Sequence, residues 1–395
     1  MLPTKKAWCD VMLSGKFVSI FAMTCSIVMA DYSFGAEKKI AVVDAGSTGS
    51  RLYIYEYSPD PDTGIPVIEK ETSSKQKGGI QDVDANNLDT YLENLFGSVN
   101  KDNISNIYFY STAGMRQINP DIRASLNEQV KKWLKAEFPS SDIDVETIPG
   151  RKEALYAWLA LNYVNNLFKL QGDTQGVLDM GGASTQIAYE VNDKEDFTVE
   201  INRKTYKLNT ESFLGLGLNL AMSQYLNQEA CFPVGFTLPD GKKGTGDFDA
   251  CSKAIMPLIT DVQKLNNYTK LHPVRNTHSF LLISGYDYTA SELRITKNYS
   301  IKNLGKQGED FCKQSWMDLK AGKTSYVASP FIWHICFDSA LEEDLLTLGY
   351  RLDFAGLPVK TASTVSYNLN WPLGVVLTPF VTTSSNPKEN THTDL

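Results

Sequence analysis

Short apolar runs that end in loops rich in glycine and serine are the most regular feature of the chain. Residues 39–43 (KIAVV) form one such run, which ends at Asp44, and the loop 45–50 (AGSTGS) follows it. Residues 51–55 (RLYIY) continue with mainly apolar and aromatic side chains. Because runs of this length bounded by glycine are typical of buried strands, the pattern predicts a strand–loop–strand unit.

The same unit recurs about 135 residues later in the chain. Residues 176–178 end at Asp179, and the loop MGGAST separates this strand from a second one that begins at Gln186. In the alignment of the two units, Asp44 corresponds to Asp179 and Arg51 corresponds to Gln186. The repeat predicts two α/β halves that carry matched loops.

Two further segments belong to the same pattern. Residues 107–110 (IYFY) predict a strand that runs into the sequence STAGMR, which ends at Arg116. After Pro149 and Gly150 a helix is predicted, because inward-facing side chains recur at helical spacing. They are Ala154, Leu155, Trp158, Leu159 and Asn162.

The composition limits the function classes. The 395 residues are 42% hydrophobic, which predicts two or three domains with sizeable cores. A net charge of −8 argues against a nucleic-acid-binding protein, and four scattered histidines argue against a zinc centre bound by histidine.

Residues 1–36 have the pattern of a secretory signal peptide. Lysines at positions 5, 6 and 16 precede the uncharged run 17–30, which is shorter than the roughly 20 residues that span a bilayer. We therefore expect a secreted, periplasmic or extracellular protein without a stable membrane span. The alternative is an uncleaved N-terminal anchor.

The cysteines agree with export. Four of them lie beyond the signal segment, at positions Cys231, Cys251, Cys312 and Cys336, and none is in a CxxC spacing. Four cysteines allow three connectivities. We expect the sequential pairs Cys231–Cys251 and Cys312–Cys336, which close the shortest loops; the alternative is four separate buried thiols.

The repeated loops have the composition of anion-binding sites. Glycine lets main-chain amides approach a ligand, and the serine and threonine hydroxyls add further donors. The aspartate that precedes each loop is placed to hold a hydrated divalent cation against bound phosphates.

Removal of residues 1–36 takes away three lysines and two aspartates, so the net charge changes from −8 to −9. A protein this acidic needs a cation or local arginines to bind a polyanion. The alternative to anion binding is that the two glycine loops are only structural turns.

Taken together, five segments resemble the apyrase conserved regions of the ecto-nucleoside triphosphate diphosphohydrolases. They are Asp44–Ser50, Ser111–Arg116, Gly150–Trp158, Asp179–Gln186 and Trp371–Gly374. The resemblance spans about 330 residues, and the last segment departs from the family pattern in having proline at position 372.

This resemblance implies the actin, Hsp70 and hexokinase fold, in which two RNase H-like α/β lobes enclose the nucleotide in a cleft. We expect the first lobe to comprise residues 37–148 plus 355–395, and the second lobe to comprise residues 149–354.

The resemblance also implies roles for individual residues. Glu153 matches the general base, and Ser184 and Gln186 match the residues that position the attacking water. The phosphate-binding positions are Ser47, Thr48, Gly49, Arg51, Thr112, Arg116, Gly182 and Ala183. Asp44 and Asp179 match residues that hold the metal through water, Asn162 matches a position supporting that network, and Trp371 matches a supporting position. Tyr288 and Tyr350 match the two side chains that sandwich the base.

The function implied is secreted, metal-dependent hydrolysis of the terminal phosphate of nucleoside triphosphates, and also of diphosphates, by a monomer that uses Mg²⁺, Mn²⁺ or Ca²⁺. One alternative is an exopolyphosphatase of the same superfamily, which would not need to stack a base. Another, from a different class, is a non-catalytic ATP-binding module.

Overall fold

The computed structural model describes residues 38–193, 195–263, 265, 279–327, 329–353, 356–364 and 369–385. The predicted signal peptide, residues 1–36, lies outside them. Within these ranges, no helix combines the length and the apolar character that crossing a membrane requires.

The first sheet has five strands in the order β3-β2-β1-β4-β5. Strands β1, β2 and β3 pair antiparallel, whereas β4 and β5 continue the sheet in parallel on the other side of β1. The bounds are β1 Lys38–Gly46, β2 Gly49–Pro59, β3 Pro66–Lys77, β4 Ile104–Ser111 and β5 Asp142–Thr147.

The second sheet has seven strands in the order β11-β10-β6-β7-β9-β8-β12. Its bounds are β6 Gly176–Met180, β7 Ser184–Glu190, β8 Phe197–Ile201, β9 Lys204–Leu214, β10 Phe280–Ser284, β11 Val359–Thr361 and β12 Thr382–Ser385.

Five strands of the second sheet repeat the first sheet. The order β9-β7-β6-β10-β11 reproduces β3-β2-β1-β4-β5, with the same parallel and antiparallel pairings. Asp44 pairs with Arg51 across the first hairpin, and Asp179 pairs with Gln186 across the second. The structure therefore confirms the repeat and the alignment predicted from the sequence.

The helices surround these sheets. They are α1 Leu88–Phe96, α2 Ala113–Arg116, α3 Pro120–Glu137, α4 Gly150–Val164, α5 Leu167–Leu170, α6 Leu218–Ser223, α7 Phe248–Pro257, α8 Gly285–Glu292, α9 Ile301–Cys312, α10 Trp316–Lys320, α11 Ile335–Asp344 and α12 Trp371–Val376.

Helix α4 is the buried element that places the candidate base. Its residues from Ala154 to Asn162 are all buried, and the helix packs against β6, β7 and β9 of the second sheet. Helix α12 packs on α4 and also contacts β1. The two helices approach closely at Gly374, where an added Cβ would lie only 1.9 Å from the carbonyl oxygen of Tyr156.

The C-terminal segment differs from the predicted division into lobes. Residues 355–395 were expected in the first lobe, but β11 pairs with β10 and β12 pairs with β8, so both strands belong to the second sheet. The segment still contacts the first sheet: helix α12 contacts β1, Asn370 accepts a hydrogen bond from the hydroxyl of Tyr55, and the ring of Phe380 lies 5.6 Å from that of Tyr57. The sequence did not indicate this pairing, because the pairing of an edge strand depends on contacts that are distant in sequence.

The two disulfides have the expected sequential pairing. Cys231 joins Cys251 with their Cα atoms 4.8 Å apart, and Cys312 joins Cys336 with 4.9 Å between Cα atoms. All four residues are buried. The second bond links α9 to α11 and so fixes two helices that are distant in sequence.

Candidate active site

A cleft of about 420 Å³ lies where the two sheets' matched hairpins meet. The β1–β2 loop lines it with Gly46, Ser47, Thr48 and Gly49, and the β6–β7 loop lines it with Gly181, Gly182 and Ala183. A Cβ added at Gly182 would lie 3.0 Å from Oγ of Ser47. The two glycine loops therefore face one another at close range.

The second loop is supported from behind by the start of α6. The amides of Leu218 and Asn219 donate to the carbonyl oxygens of Gly181 and Gly182, at 3.1 and 2.9 Å. Gly217 passes so close that a Cβ there would lie 2.3 Å from the nitrogen of Ala183. This packing fixes the loop shape before any ligand binds.

Glu153 lies in the first turn of α4 and lines the cleft. Its Oε2 accepts hydrogen bonds from Nη2 of Arg116 at 2.8 Å and from Nε2 of Gln186 at 3.4 Å. Both donors bind the same carboxylate oxygen, so Oε1 is left for the cleft. A buried ion pair with Arg116 holds the glutamate in place.

Two serines complete the support of Glu153. Nε2 of Gln186 donates to Oγ of Ser184 at 2.6 Å and to Oγ of Ser212 at 3.0 Å, and Arg116 reaches Ser184 at 3.3 Å. Ser184 also lines the cleft. Glu153 and Ser184 therefore present polar atoms to the same cleft.

The acidic residues of the cleft have raised pKa values because they are buried. Burial raises the pKa of Glu153 to about 8, although Arg116 opposes the change. Burial raises the pKa of Asp44 to about 7 and that of Asp179 to about 6. The negative charge of Asp179 raises the pKa of Asp44 further. Perturbed carboxyl groups that converge in a cleft are typical of a functional site.

The cleft brings together most of the residues singled out in the sequence. Its lining includes Asp44, Ser47, Thr48, Gly49, Arg51, Thr112, Glu153, Asp179, Gly182, Ala183, Ser184, Tyr288 and Trp371. Trp371 is 4% exposed, and its ring stacks on Tyr156 at 6.3 Å. Pro372 occupies the first turn of α12, where a missing amide proton costs no helical hydrogen bond.

Two expected site residues lie behind the cleft wall. Arg116 was expected to bind phosphate, but its guanidinium contacts Glu153 and Ser184 and does not line the cleft. Gln186, expected beside the water, is 1% exposed and likewise holds those two side chains. Both residues therefore contact Glu153 and Ser184 from behind the wall of the cleft.

Two others lie in different surroundings from those expected. The side-chain amide of Asn162 donates to the carbonyl oxygens of Trp158 and Gln175 and accepts from the amide of Gln175, so it ties α4 to the chain entering β6. Tyr350 is 2% exposed and packs edge-on against Phe213, away from the lining of the cleft. Neither residue is placed for the role that the sequence suggested.

A family model settles the relationship that these motifs suggest. The GDA1/CD39 (nucleoside phosphatase) family matches residues 35–232 and 236–391. The chain belongs to this family.

Relatives within the GDA1/CD39 family resemble the chain over most of its length. Nucleoside-triphosphatase ntp-1 of Caenorhabditis elegans is 26% identical over 85% of this chain and 72% of its own. Ectonucleoside triphosphate diphosphohydrolase 3 of Mus musculus is 25% identical over 85% of this chain and 77% of its own. The chain is thus an enzyme of the nucleoside phosphatase class.

Solved structures show the same fold as this GDA1/CD39 protein. A nucleoside triphosphate hydrolase from Neospora caninum superposes with a TM-score of 0.61 at 14% identity, covering 86% of this chain and 92% of its own. A PPX-GPPA enzyme from Aquifex aeolicus superposes with a TM-score of 0.54 at 14% identity, and the match covers 86% of this chain and 99% of that enzyme's chain. The fold is the two-lobe α/β fold of the actin type, as expected.

The cleft of this GDA1/CD39 phosphatase also contains residues that the sequence patterns did not indicate. They are Lys75, Asn219, Ser284, Phe331 and His334. Asn219 follows the GLGLN sequence at the start of α6, and Ser284 ends a strand before a glycine; both signals were available. Phe331 and His334 belong to a short turn without a motif, so only the fold brings them to the cleft.

A second cavity, of about 660 Å³, is larger but chemically different. It is lined mainly by apolar and aromatic side chains, among them Phe232, Phe236, Trp316 and Trp333. No carboxylate and neither glycine loop belongs to its lining. The smaller cleft, which contains the carboxylates and both glycine loops, is therefore the candidate active site.

The raised pKa values predict how the stability of this phosphatase depends on pH. Glu153, Asp44 and Asp179 bind protons more tightly when folded than when unfolded, where their pKa values are near 4. The stabilisation from their protonated forms is complete at low pH and is lost as the pH rises through the folded values. Without divalent cations, we expect the melting temperature to fall by roughly 5 °C from about pH 5 to about pH 8.

Calorimetric scans in the presence of a chelator measure this dependence. Asp44→Asn removes one titrating group and should flatten the curve. A melting temperature that rises over the same interval would contradict the assignment of these acids.

Proposed function

We propose that the protein hydrolyses the terminal phosphate of nucleoside triphosphates, and also of diphosphates, with a water activated by Glu153. The observation that carries the proposal is the fixed carboxylate of Glu153. Oε2 is held by Arg116 and Gln186, and Oε1 is left for a cleft that also contains two facing glycine loops.

The glycine loops supply the phosphate site. Backbone amides and hydroxyls from Ser47, Thr48, Gly182 and Ala183 surround one region of the cleft, and Arg51 and Thr112 also line it. Such donors form anion-binding concavities. Because the loops come from both sheets, a phosphate chain between them is bound from two sides.

Glu153 accepts the proton of the attacking water. A general base works best when its pKa lies near the working pH, and burial moves the pKa of Glu153 towards that range. Ser184 orients the same water, and Gln186 keeps Ser184 and Glu153 in register. The amide-rich loops stabilise the negative charge that spreads over the transferring group.

The acidic residues suit a divalent cation. Asp44 and Asp179 end equivalent strands and both line the cleft. Burial raises the pKa of Asp44, Arg51 opposes the rise, and the negative charge of Asp179 adds to it, so the two carboxylates repel one another. Carboxylate oxygens are the ligands that Mg²⁺, Mn²⁺ and Ca²⁺ prefer. In the part of the chain that the structure describes, no group of three acidic, histidine or cysteine side chains is arranged to bind a metal directly. We therefore assign Asp44 and Asp179 to the water shell of the ion. When bound, the ion supplies positive charge beside the phosphates.

The base site is assigned to Tyr288 and Phe331. Their rings lie 6.1 Å apart in an edge-to-face arrangement, both line the cleft, and Phe331 is 53% exposed. Phe331 thus takes the place that the sequence gave to the buried Tyr350. A nucleobase would stack on the exposed ring of Phe331, while the perpendicular ring of Tyr288 contacts its edge.

Phe331→Ala is expected to raise the KM for ATP by about 5- to 100-fold, because stacking a base on an aromatic ring contributes about 1–3 kcal/mol. Hydrolysis of inorganic tripolyphosphate, which has no base, should change little. Tyr350→Phe is the matched control and should leave both KM values unchanged. A Phe331→Ala enzyme with the wild-type KM for ATP would exclude the residue from base binding.

Export is proposed together with the activity. The segment 1–36 has the pattern of a signal peptide, and two buried disulfides are typical of proteins that fold in an oxidising compartment. We assign the protein to the periplasm or the extracellular space, as a monomer.

The direct test is phosphate release by the mature chain from ATP, ADP, AMP and long-chain polyphosphate. We expect release from ATP and ADP with a divalent cation and none from AMP. Polyphosphate as the preferred substrate would favour an exopolyphosphatase. Tight ATP binding without release from any substrate would favour a non-catalytic module.

A further inference from the structure

Ser284 has a backbone conformation that a serine rarely adopts. It is the last residue of β10 and immediately precedes α8, with φ 59° and ψ −116°. These angles are those of the first central residue of a type II′ turn, a position normally taken by glycine. Asn166 and Gln171 also have positive φ, but their ψ values of 19° and 31° place them in the left-handed helical region.

The surrounding packing explains why the chain turns so sharply here. Strand β10 runs parallel to β6, and Ile283 pairs with Asp179 while Ser284 pairs with Met180. The next residue is Gly285, where an added Cβ would lie 2.6 Å from Cγ of Met180 and 2.9 Å from its carbonyl oxygen. Because helix α8 packs so closely against the end of β6, the chain has to turn within one or two residues between β10 and α8.

The hydroxyl of Ser284 interacts with the carboxyl group of Asp179 and does not cap helix α8. Ser284 occupies the N-cap position of α8, yet its side chain makes no capping hydrogen bond. Burial raises the pKa of the Asp179 carboxyl group, and hydrogen bonding from the side chain of Ser284 and from the backbone of Met180 opposes that rise. Ser284 is also exposed to the cleft.

We infer that Ser284 is a positioning residue for the hydrolysis: its strained turn fixes a hydroxyl that orients the carboxylate of Asp179 towards the cleft. The inference rests on the proposed function, because Asp179 acts there on bound phosphates. Backbone strain persists where the surroundings over-determine it, and it is concentrated at functional sites. A strained strand-to-helix turn is also a known way to present a serine hydroxyl at a sheet's edge.

Two substitutions separate the hydroxyl from the strain. Ser284→Ala removes the hydroxyl and keeps a side chain in the strained conformation, whereas Ser284→Gly removes both. We expect both variants to lower kcat for ATP by about 10- to 100-fold, with KM within about threefold of wild type, because the orientation of Asp179 is lost. We also expect the Gly variant to melt about 2 °C higher than the Ala variant.

A matched control is Asn166→Gly, which relieves positive φ at a residue outside the lining of the cleft. It should melt at or above the wild-type temperature with unchanged kcat. Wild-type kcat in Ser284→Gly would overturn the inference, since the turn alone would then suffice. Wild-type kcat in Ser284→Ala would overturn it as well.

A double-mutant cycle with Asp179→Asn tests the contact without any activity measurement. If Ser284 orients Asp179, the changes in melting temperature caused by Ser284→Ala and Asp179→Asn are not additive. Additive changes would contradict the contact. If the wild-type protein hydrolyses no nucleotide, the proposed function fails, and the cycle still reports separately on the Ser284–Asp179 pair.

Discussion

Glu153→Gln is expected to lower kcat for ATP by about 10²- to 10⁴-fold, the usual contribution of a general base. Glutamine keeps the size of the side chain and can still accept hydrogen bonds from Arg116 and Gln186, so the fold and the cleft are retained. What is lost is the carboxylate that takes the proton of the water. KM should change far less than kcat, because Glu153 contacts the water and not the nucleotide.

The measurement is steady-state phosphate release together with ATP binding by titration calorimetry. Glu342→Gln is the matched control, since Glu342 is a completely buried glutamate that hydrogen-bonds Thr289, outside the cleft lining. That variant should retain the wild-type kcat. Near-wild-type turnover by Glu153→Gln would remove Glu153 from the role of base and leave Ser184 to be tested in its place.

Removal of the divalent cation is expected to abolish phosphate release while the protein stays folded. Asp44 and Asp179 are held near one another by two sheets, and a nucleotide adds further negative charge to the same cleft. Without a cation this repulsion opposes binding of the phosphates between the loops. Chelation followed by readdition of Mg²⁺, Mn²⁺ or Ca²⁺ should therefore switch release off and on again.

Asp44 and Asp179 should determine the cation concentration at which phosphate release reaches half of its maximum rate. Asp44→Asn and Asp179→Asn are each expected to raise the half-saturating concentration by about 10- to 100-fold, the usual effect of losing a group that orients a metal's ligands. Circular dichroism in chelator monitors folding in parallel. Full activity in chelator would exclude a cation from the reaction, and an unchanged half-saturating concentration in both variants would exclude the two aspartates.

The local part of the site was predictable because it is written in short, repeated motifs. The alignment of Asp44 with Asp179 and of Arg51 with Gln186 follows from two strand–loop–strand units, and the strand pairing reproduces it. The general position of Glu153 also follows from a helix start after a proline and a glycine. The register of a hairpin is set by its own turn and its own hydrophobic pattern, so a short stretch of sequence is enough to predict it.

The remaining errors concern contacts between distant segments. Tyr350 and Phe331 are both aromatic residues of the same region, and only packing decides that one is 2% exposed and the other 53%. Arg116 carries a charge suited to phosphate, but in the folded chain its guanidinium pairs with the carboxylate of Glu153. The strands β11 and β12 are too short for their sequence to show which sheet they join.

The equivalent strand orders of the two sheets have a consequence for how the enzyme can have arisen. Two copies of one unit that face each other form a pseudo-dyad, and the cleft lies where the two equivalent hairpins meet. A symmetric ancestor would have offered a substrate the same groups from either direction. The paired positions differ in this protein: Arg51 lines the cleft, whereas its counterpart Gln186 lies behind it and donates to Ser184. Such differences at equivalent positions make the two halves of the cleft chemically distinct, so a chain of phosphates would meet different groups in each of its two orientations.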